Sequence, residues 1–351
     1  MPGRLTVSTG ALARNYGSIC ASTDSEVAGV VKANGYGIGV VDAVQCLEHA
    51  GCKTYFVATL VEGIRVRQVS PGSQIYVLEG LVRDADSGVF LQHQLRPVIN
   101  SPMQLSRWNN AGSFALHIDT GMERLGLSIV EGDEVLAQGA KPSLVLSHFA
   151  RADEPSVGIT RQQIETMLGF SARHPDISLS LSNSAGALLH DVPEVLVRAG
   201  IALYGGSPTG EQGDALEAVV KLSGDVIQVR DIEAGTYVGY GGTYQAAEKS
   251  RLVTVGIGYA DGLPRLLSNC GRAWWRGDYY PLVGRASMDL IHVRVDLSVE
   301  VEQFQDETFE LIGANVPVDE VARQAQTLSY EVLTGLDAAR RLERVTTETS
   351  I

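Results

Sequence analysis

The 351-residue sequence has only four cysteines, Cys20, Cys46, Cys52 and Cys270, and none stands in a CxxC pair or at a metal-ligand spacing. Such sparse use reads as reduced thiols of a cytoplasmic protein rather than as a disulfide framework. No run approaches the ~18 uninterrupted apolar residues of a membrane helix. The opening MPGRLTVSTG lacks the apolar core of a secretory signal. Basic residues are also in deficit: 28 Lys and Arg against 41 Asp and Glu give a net charge of −13. That balance argues against a nucleic-acid or anionic-membrane partner, because both are bound by clustered cations. Finally, no GxGxxG turn follows the first apolar strand, as a dinucleotide-binding doubly wound sheet would require.

What is present is alternation. Short β-branched runs begin at Glu26, Tyr55, Ile75, Arg96, Ala115, Ser143, Ser178 and Val195, and amphipathic stretches such as 40–51 and 160–174 lie between several of them. Eight strands with crossover-length connections predict an α/β fold, a parallel (β/α)8 barrel over residues 11–215. After about Leu222 the texture becomes short, alternating and glycine-punctuated, which predicts an all-β domain over 216–351 with one helical stretch at 318–336. The polar segment 207–214 supplies the connector. The strand-like piece within residues 1–10 precedes the barrel and is expected to join the β-domain.

In such a barrel, chemistry collects where strands end. Lys32 follows the first strand, Asp119 to Arg124 the fifth, His148 the sixth, Asn183 and Ser184 the seventh, and Arg198 to Ile201 the eighth. The ends of the last two strands are where barrels commonly hold phosphate. A lysine amine at the mouth beside a phosphate site suggests pyridoxal phosphate held as a Schiff base, with a partly desolvated pocket lowering the amine's pKa. Arg198 is then a candidate for the pyridine nitrogen. A guanidinium does not give up its proton, so the ring would stay neutral, which disfavours transamination and favours removing and returning a proton at Cα.

The motifs VVKANGYGIG, HIDTGMERLG, SHFARADE, SNSAGAL, VRAGIALYGGSP, VGYGGTY, IGYADGLPR, VGRASMD and SYEVLTGL stand in one order along nearly the whole chain. In this the sequence resembles alanine racemase, the pyridoxal 5′-phosphate enzyme of fold-type III. The resemblance implies interconversion of L- and D-alanine, supplying D-alanine for peptidoglycan. It implies that Lys32 carries the cofactor and acts as one base, and that Tyr36, Ser184 and Tyr330, with backbone at Gly200 and Ile201, bind its phosphate. Arg198 would meet the pyridine nitrogen. Tyr240 would be the second base, reaching the barrel mouth of the other subunit in a homodimer with shared sites. His148 would hold that partner tyrosine and bias it away from its reference pKa of about 10. Arg124 would contact the cofactor ring oxygen and the substrate carboxylate, and Met288 the carboxylate through its backbone. Tyr259, Arg265, Arg285, Asp289 and Asp153 would line the entry corridor.

Three positions depart from the family's usual pattern. His117 stands where many members have a lysine, often carbamylated, that orients the arginine equivalent to Arg124. Ile38 replaces a common histidine in the lysine loop, and Ser180 replaces a histidine that supports the pyridine-binding arginine. Two other functions compete. A cofactor-carrier protein of this barrel type lacks the β-domain that this chain has, and a fold-type III decarboxylase would place an acid where Arg198 stands. A racemase acting on serine or a broader set is not separated from alanine racemase by these motifs.

Overall fold

The computed structural model describes residues 3–210, 216–336, 338 and 341–349. After a first strand β1 (Gly3–Ser8), the barrel is built from β2 (Glu26–Val30), β3 (Thr54–Val57), β4 (Gln74–Val77), β5 (Arg96–Ile99), β6 (Ala115–His117), β7 (Leu144–Leu146), β8 (Leu179–Ser180) and β9 (Leu196–Ala199). Every adjacent pairing among these eight is parallel, in the order β8-β7-β6-β5-β4-β3-β2-β9. Helices cover the outside, so the strands are almost wholly buried and read as apolar runs without polar alternation. The seam between β8 and β9 is closed by Val195 N donating to Leu179 O at 3.0 Å and Arg198 N donating to Ser182 O at 2.9 Å. The barrel expected from the alternating runs is therefore the observed fold.

The second domain carries β10 (Val220–Ile232), β11 (Tyr237–Val238), β12 (Tyr244–Gln245), β13 (Ser250–Val255), β14 (Arg272–Trp275), β15 (Asp278–Pro281), β16 (Ile291–Val295), β17 (Thr308–Ile312) and β18 (Glu343–Thr347). Its sheet runs β15-β14-β17-β10-β1-β18, with β13 and β16 branching from β10. β1 lies antiparallel to β10 and parallel to β18, so the chain's first strand sits inside the distal domain's sheet. Leu5 and Val7 are fully buried there. The boundary expected at 215/216 falls beside residues 211–215, outside the described residues.

One element differs from expectation. The single helix read over 318–336 is two, Val318–Gln324 and Ser329–Gly335. The first ends where Gln326 turns left-handed (φ 56) and Thr327 N reaches back to Ala322 O at 2.9 Å. The break matters because it gives the second helix its own direction, toward the lysine loop. The two approach so closely that a Cβ on Gly37 would stand 2.2 Å from Leu333 O. No helix among the described residues is long and apolar enough to cross a membrane.

Candidate active site

Lys32 follows the end of β2 and opens an unusual turn. Ala33, Asn34, Gly35 and Tyr36 have φ of 53°, 55°, 65° and 52°, forming one left-handed helical turn. Left-handed geometry costs about 1–2 kcal/mol for each L-residue that has a Cβ, so the surroundings must hold it. Within the turn, Gly35 N donates to Val31 O at 3.0 Å and Gly37 N to Ala33 O at 2.9 Å. Ile38, the apolar residue in an otherwise polar, glycine-rich loop, is fully buried and anchors the turn in the core. The Lys32 amine has its pKa lowered first by burial and then by Arg124, with Glu62 opposing. It is thereby biased toward the neutral, nucleophilic form.

At Gly200 two hydroxyls converge, and the ring of Tyr330 packs beside them. Ser184 Oγ accepts from Gly200 N at 2.9 Å, which leaves its own O–H to donate. Tyr36 Oη lies so close that a Cβ on Gly200 would meet it at 2.6 Å. The Tyr36 ring stacks on Tyr204 at 4.5 Å and meets Tyr330 at 5.9 Å. Burial raises the pKa of both phenols, Tyr330 to about 12 with Asp153 and Asp319 adding to the effect, so both remain O–H donors. Ile201, fully buried, starts the short turn Ile201–Tyr204 that shapes this corner.

Arg198 lies deep in the mouth. Its Nη1 donates to Ser180 Oγ at 2.6 Å, and its Nη2 donates to Ser147 O at 2.5 Å and Leu181 O at 3.1 Å and approaches His148 Nδ1 at 3.4 Å. Burial lowers its pKa to about 10, so it stays charged at neutral pH. Burial and the cations Arg198, Arg124 and Lys32 hold His148 down to about 3. His117 is likewise held to about 4, by burial and then Arg198. The His117 ring contacts Asn100 Oδ1 through Nδ1 at 2.7 Å, while Asn100 Nδ2 donates to Leu78 O and Val98 O, each at 2.9 Å. With the amide oriented by those two carbonyls, Nδ1 must carry the proton and Nε2 keeps its lone pair. The loop bearing Arg124 folds back on this ring, since a Cβ on Gly126 would lie 3.2 Å from His117 Cδ2 and Leu127 N donates to His117 O at 2.8 Å.

The remaining expected residues, Asp153 apart, form a second group on the β-domain. Tyr240 is 72 % exposed on the turn between β11 and β12. The guanidinium of Arg285 lies beside that turn, 3.2 Å from a Cβ placed on Gly241. Tyr259 N donates to Ser287 O at 3.1 Å and Ala260 N to Met288 O at 3.0 Å, which puts Tyr259 beside Met288. Arg265 is exposed at the end of the same loop. Asp289 pairs with Arg341 at 2.6 Å. Asp153 belongs to the barrel side, near Tyr330. Among the described residues, no hydrogen bond or ring contact joins Tyr240 to Lys32, His148 or Arg198.

A family model for the alanine racemase N-terminal domain matches residues 7–208, and one for the alanine racemase C-terminal domain matches residues 219–346. An alanine racemase from Acidiphilium cryptum is 39 % identical over 345 residues, covering 95 % of this chain and 96 % of the relative. A biosynthetic alanine racemase from Agrobacterium fabrum is 40 % identical, covering 95 % and 92 %. The solved Bartonella henselae alanine racemase with covalently bound pyridoxal phosphate superposes with a TM-score of 0.91 at 33 % identity, over 99 % of both chains. The chain belongs to the alanine racemase family. Members of this family are pyridoxal-phosphate-dependent racemases.

The residues on the rim suit that cofactor. Among the described residues, none of the hydroxyls of Ser184, Tyr36 and Tyr330 donates a hydrogen bond within the protein, and Arg198 Nε has no acceptor. Two free O–H donors at Gly200, with the Tyr330 ring packed beside Tyr36, match a phosphate, and one guanidinium N–H matches a ring nitrogen. Sequence reasoning missed several parts of this racemase site. Tyr204 reads as a core aromatic, and Asn100 shows no motif. Glu62 reads only as the end of a Thr-x-x-Glu capping box.

Proposed function

We propose that this enzyme interconverts L- and D-alanine with two bases on opposite faces of the substrate: Lys32 of one subunit and Tyr240 of its partner in a homodimer. Pyridoxal phosphate supplies the acidity of the α-proton, because an amino acid attached to it can share the resulting negative charge with the ring. Everything else is done by the chain. Ser184, Tyr36 and Tyr330 hold the phosphate with neutral O–H donors. Arg198, fixed through Nη1 and Nη2, presents Nε to the pyridine nitrogen and keeps its own proton. Because Arg198 gives up no proton, a bound cofactor would stay neutral at that nitrogen, and return of the proton at Cα would be favoured over transamination.

Lys32 takes or returns that proton on one face, its amine partly desolvated for the purpose. Tyr240 acts on the other face, and His148, neutral at working pH with Nδ1 facing Arg198, donates its Nε2–H to the Tyr240 oxygen and so orients it. Arg124, together with the backbone at Met288, receives the substrate carboxylate. Tyr259, Arg265, Arg285, Asp289 and Asp153 form the approach. The observation that carries this reading is the split of the site: a cofactor cradle at the barrel mouth, completed by Tyr330 from the second domain's helix Ser329–Gly335, and an exposed Tyr240 with no hydrogen bond or ring contact to Lys32, His148 or Arg198 among the described residues. D-Alanine made in the cytoplasm would feed peptidoglycan synthesis, and the four free thiols agree with that compartment.

A racemisation assay on L-alanine, L-serine and larger amino acids tests the reading. Turnover confined to, or much fastest with, alanine supports it. Cofactor binding without racemisation of any of them would instead make the chain a carrier.

A further inference from the structure

The left-handed turn after Lys32 needs an anchor outside itself, and the structure offers one. Glu62, in the first turn of the helix Leu60–Val69, accepts from Ala33 N through Oε1 at 2.7 Å. Its other oxygen, Oε2, accepts from Ala58 N at 2.8 Å and Thr59 N at 3.1 Å. A capping box needs a single acceptor oxygen from its third-position glutamate. Here the second oxygen leaves the helix altogether and crosses to the neighbouring strand end. One carboxylate thus ties the loop after β2 to the loop after β3 with three charge-assisted bonds, of the kind roughly twice as strong as neutral ones.

We propose that Glu62 is a positioning residue for Lys32: by pinning Ala33 it holds the left-handed turn, and by pinning Ala58 and Thr59 it fixes where that turn stands at the barrel mouth. This rests on the assignment of Lys32 as the cofactor-bearing base. The backbone bonds inside the turn, from Gly35 N to Val31 O through Gly39 N to Asn34 O, fix its curl but not its place, since all lie within the same segment. Val31 N, just before Lys32, donates to Phe56 O of β3 at 2.9 Å, and the bond from Ala33 N to Glu62 pins the chain just after Lys32 to the loop beyond β3. The carboxylate has a second effect. The charged groups acting on the Lys32 amine are Arg124, from the loop after β6, which disfavours the ammonium, and Glu62, which favours it. His148, from the loop after β7, stays neutral beside them. Removing the Glu62 charge therefore lowers the amine's pKa further.

The test uses covalent capture of pyridoxal phosphate by the cofactor-free enzyme, followed by absorbance against pH; the amine nitrogen bonds the aldehyde carbon and water leaves. In Glu62→Gln, an amide cannot accept at both oxygen positions. The plateau rate at high pH should fall about tenfold, the loss expected when a charged hydrogen-bond partner is removed. The rising limb should move to lower pH. Glu62→Asp keeps the charge, so its limb should stay in place while the plateau falls. Thr59→Ala removes the helix cap but leaves Glu62, and should lower Tm without moving either feature. A Glu62→Gln plateau within twofold of native with an unmoved limb overturns the proposal. So does a Thr59→Ala variant that reproduces both changes, or a Glu62→Asp limb that moves like that of Gln. If Lys32→Ala still captures the cofactor covalently at this site, the Lys32 assignment itself fails, whatever Glu62 does.

Discussion

Ser180 Oγ accepts from Arg198 Nη1 at 2.6 Å and donates onward to Leu196 O at 2.6 Å. A hydroxymethyl side chain thus holds Arg198 where the family resemblance leads one to expect a histidine. It does so in a shorter span, because β8 and β9 meet across the barrel seam and bring the two residues together. Ser180→Ala should leave one guanidinium nitrogen buried without an acceptor, at about 1.5–3 kcal/mol for a bond to a charged group. Urea unfolding should show that loss, and titration of the cofactor-free enzyme should show weaker pyridoxal phosphate binding. Unchanged stability and affinity would mean that Ser147 O and Leu181 O suffice to hold Arg198.

Acid should weaken this fold through two histidines. His117 and His148 are held to about 4 and about 3, against 6.5 for an exposed imidazole. Both therefore bind fewer protons folded than unfolded. Their stabilising contribution is complete above about pH 6.5 and declines as pH falls toward the folded values. The slope is about 1.4 kcal/mol per pH unit for each in mid-window, an upper figure for partly hydrated sites. Urea midpoints at pH 7.5, 6 and 5 should fall in that order, with little change between 7.5 and 8. Imidazole NMR signals for these two residues titrating near 6.5 would contradict the cause.

Ile38→Ala should destabilise by about 2–5 kcal/mol, as for other fully buried aliphatic truncations. The side chain is wholly enclosed although the sequence around it reads as a polar, glycine-rich loop. Thermal unfolding checks it; a Tm within a degree or two of native would mean that the turn does not depend on this anchor.

The barrel was legible because each strand is a short apolar run, and Lys32, His148, Ser184 and Arg198 stand at or just beyond strand ends. What stayed hidden were arrangements that no local pattern encodes. The sequence KANGY contains residues that tolerate left-handed geometry, Asn and Gly, but also Ala and Tyr, which do not favour it. β1 reads as a piece of the β-domain, but nothing in its six residues says that its neighbours are β10 and β18, more than 200 residues away. Ser180 and His117 were visible as departures, yet their partners Arg198, Leu196 and Asn100 come from other strands. The break between helices Val318–Gln324 and Ser329–Gly335 is set by a left-handed glutamine, a residue with no turn signature.

Mixing two inactive subunits decides whether a site is shared. Lys32→Ala and Tyr240→Phe should each lack racemase activity as homodimers, because each removes one of the two bases from both sites. In a heterodimer of the two, one site combines both defects. The other combines the native Lys32 of the Tyr240→Phe chain with the native Tyr240 of the Lys32→Ala chain. Random reassociation makes half the dimers mixed, and each carries one intact site. Roughly a quarter of native activity should therefore return if the tyrosine crosses the two-fold interface. If Tyr240 served its own chain's lysine, every site in the mixture would carry a defect and no activity would return.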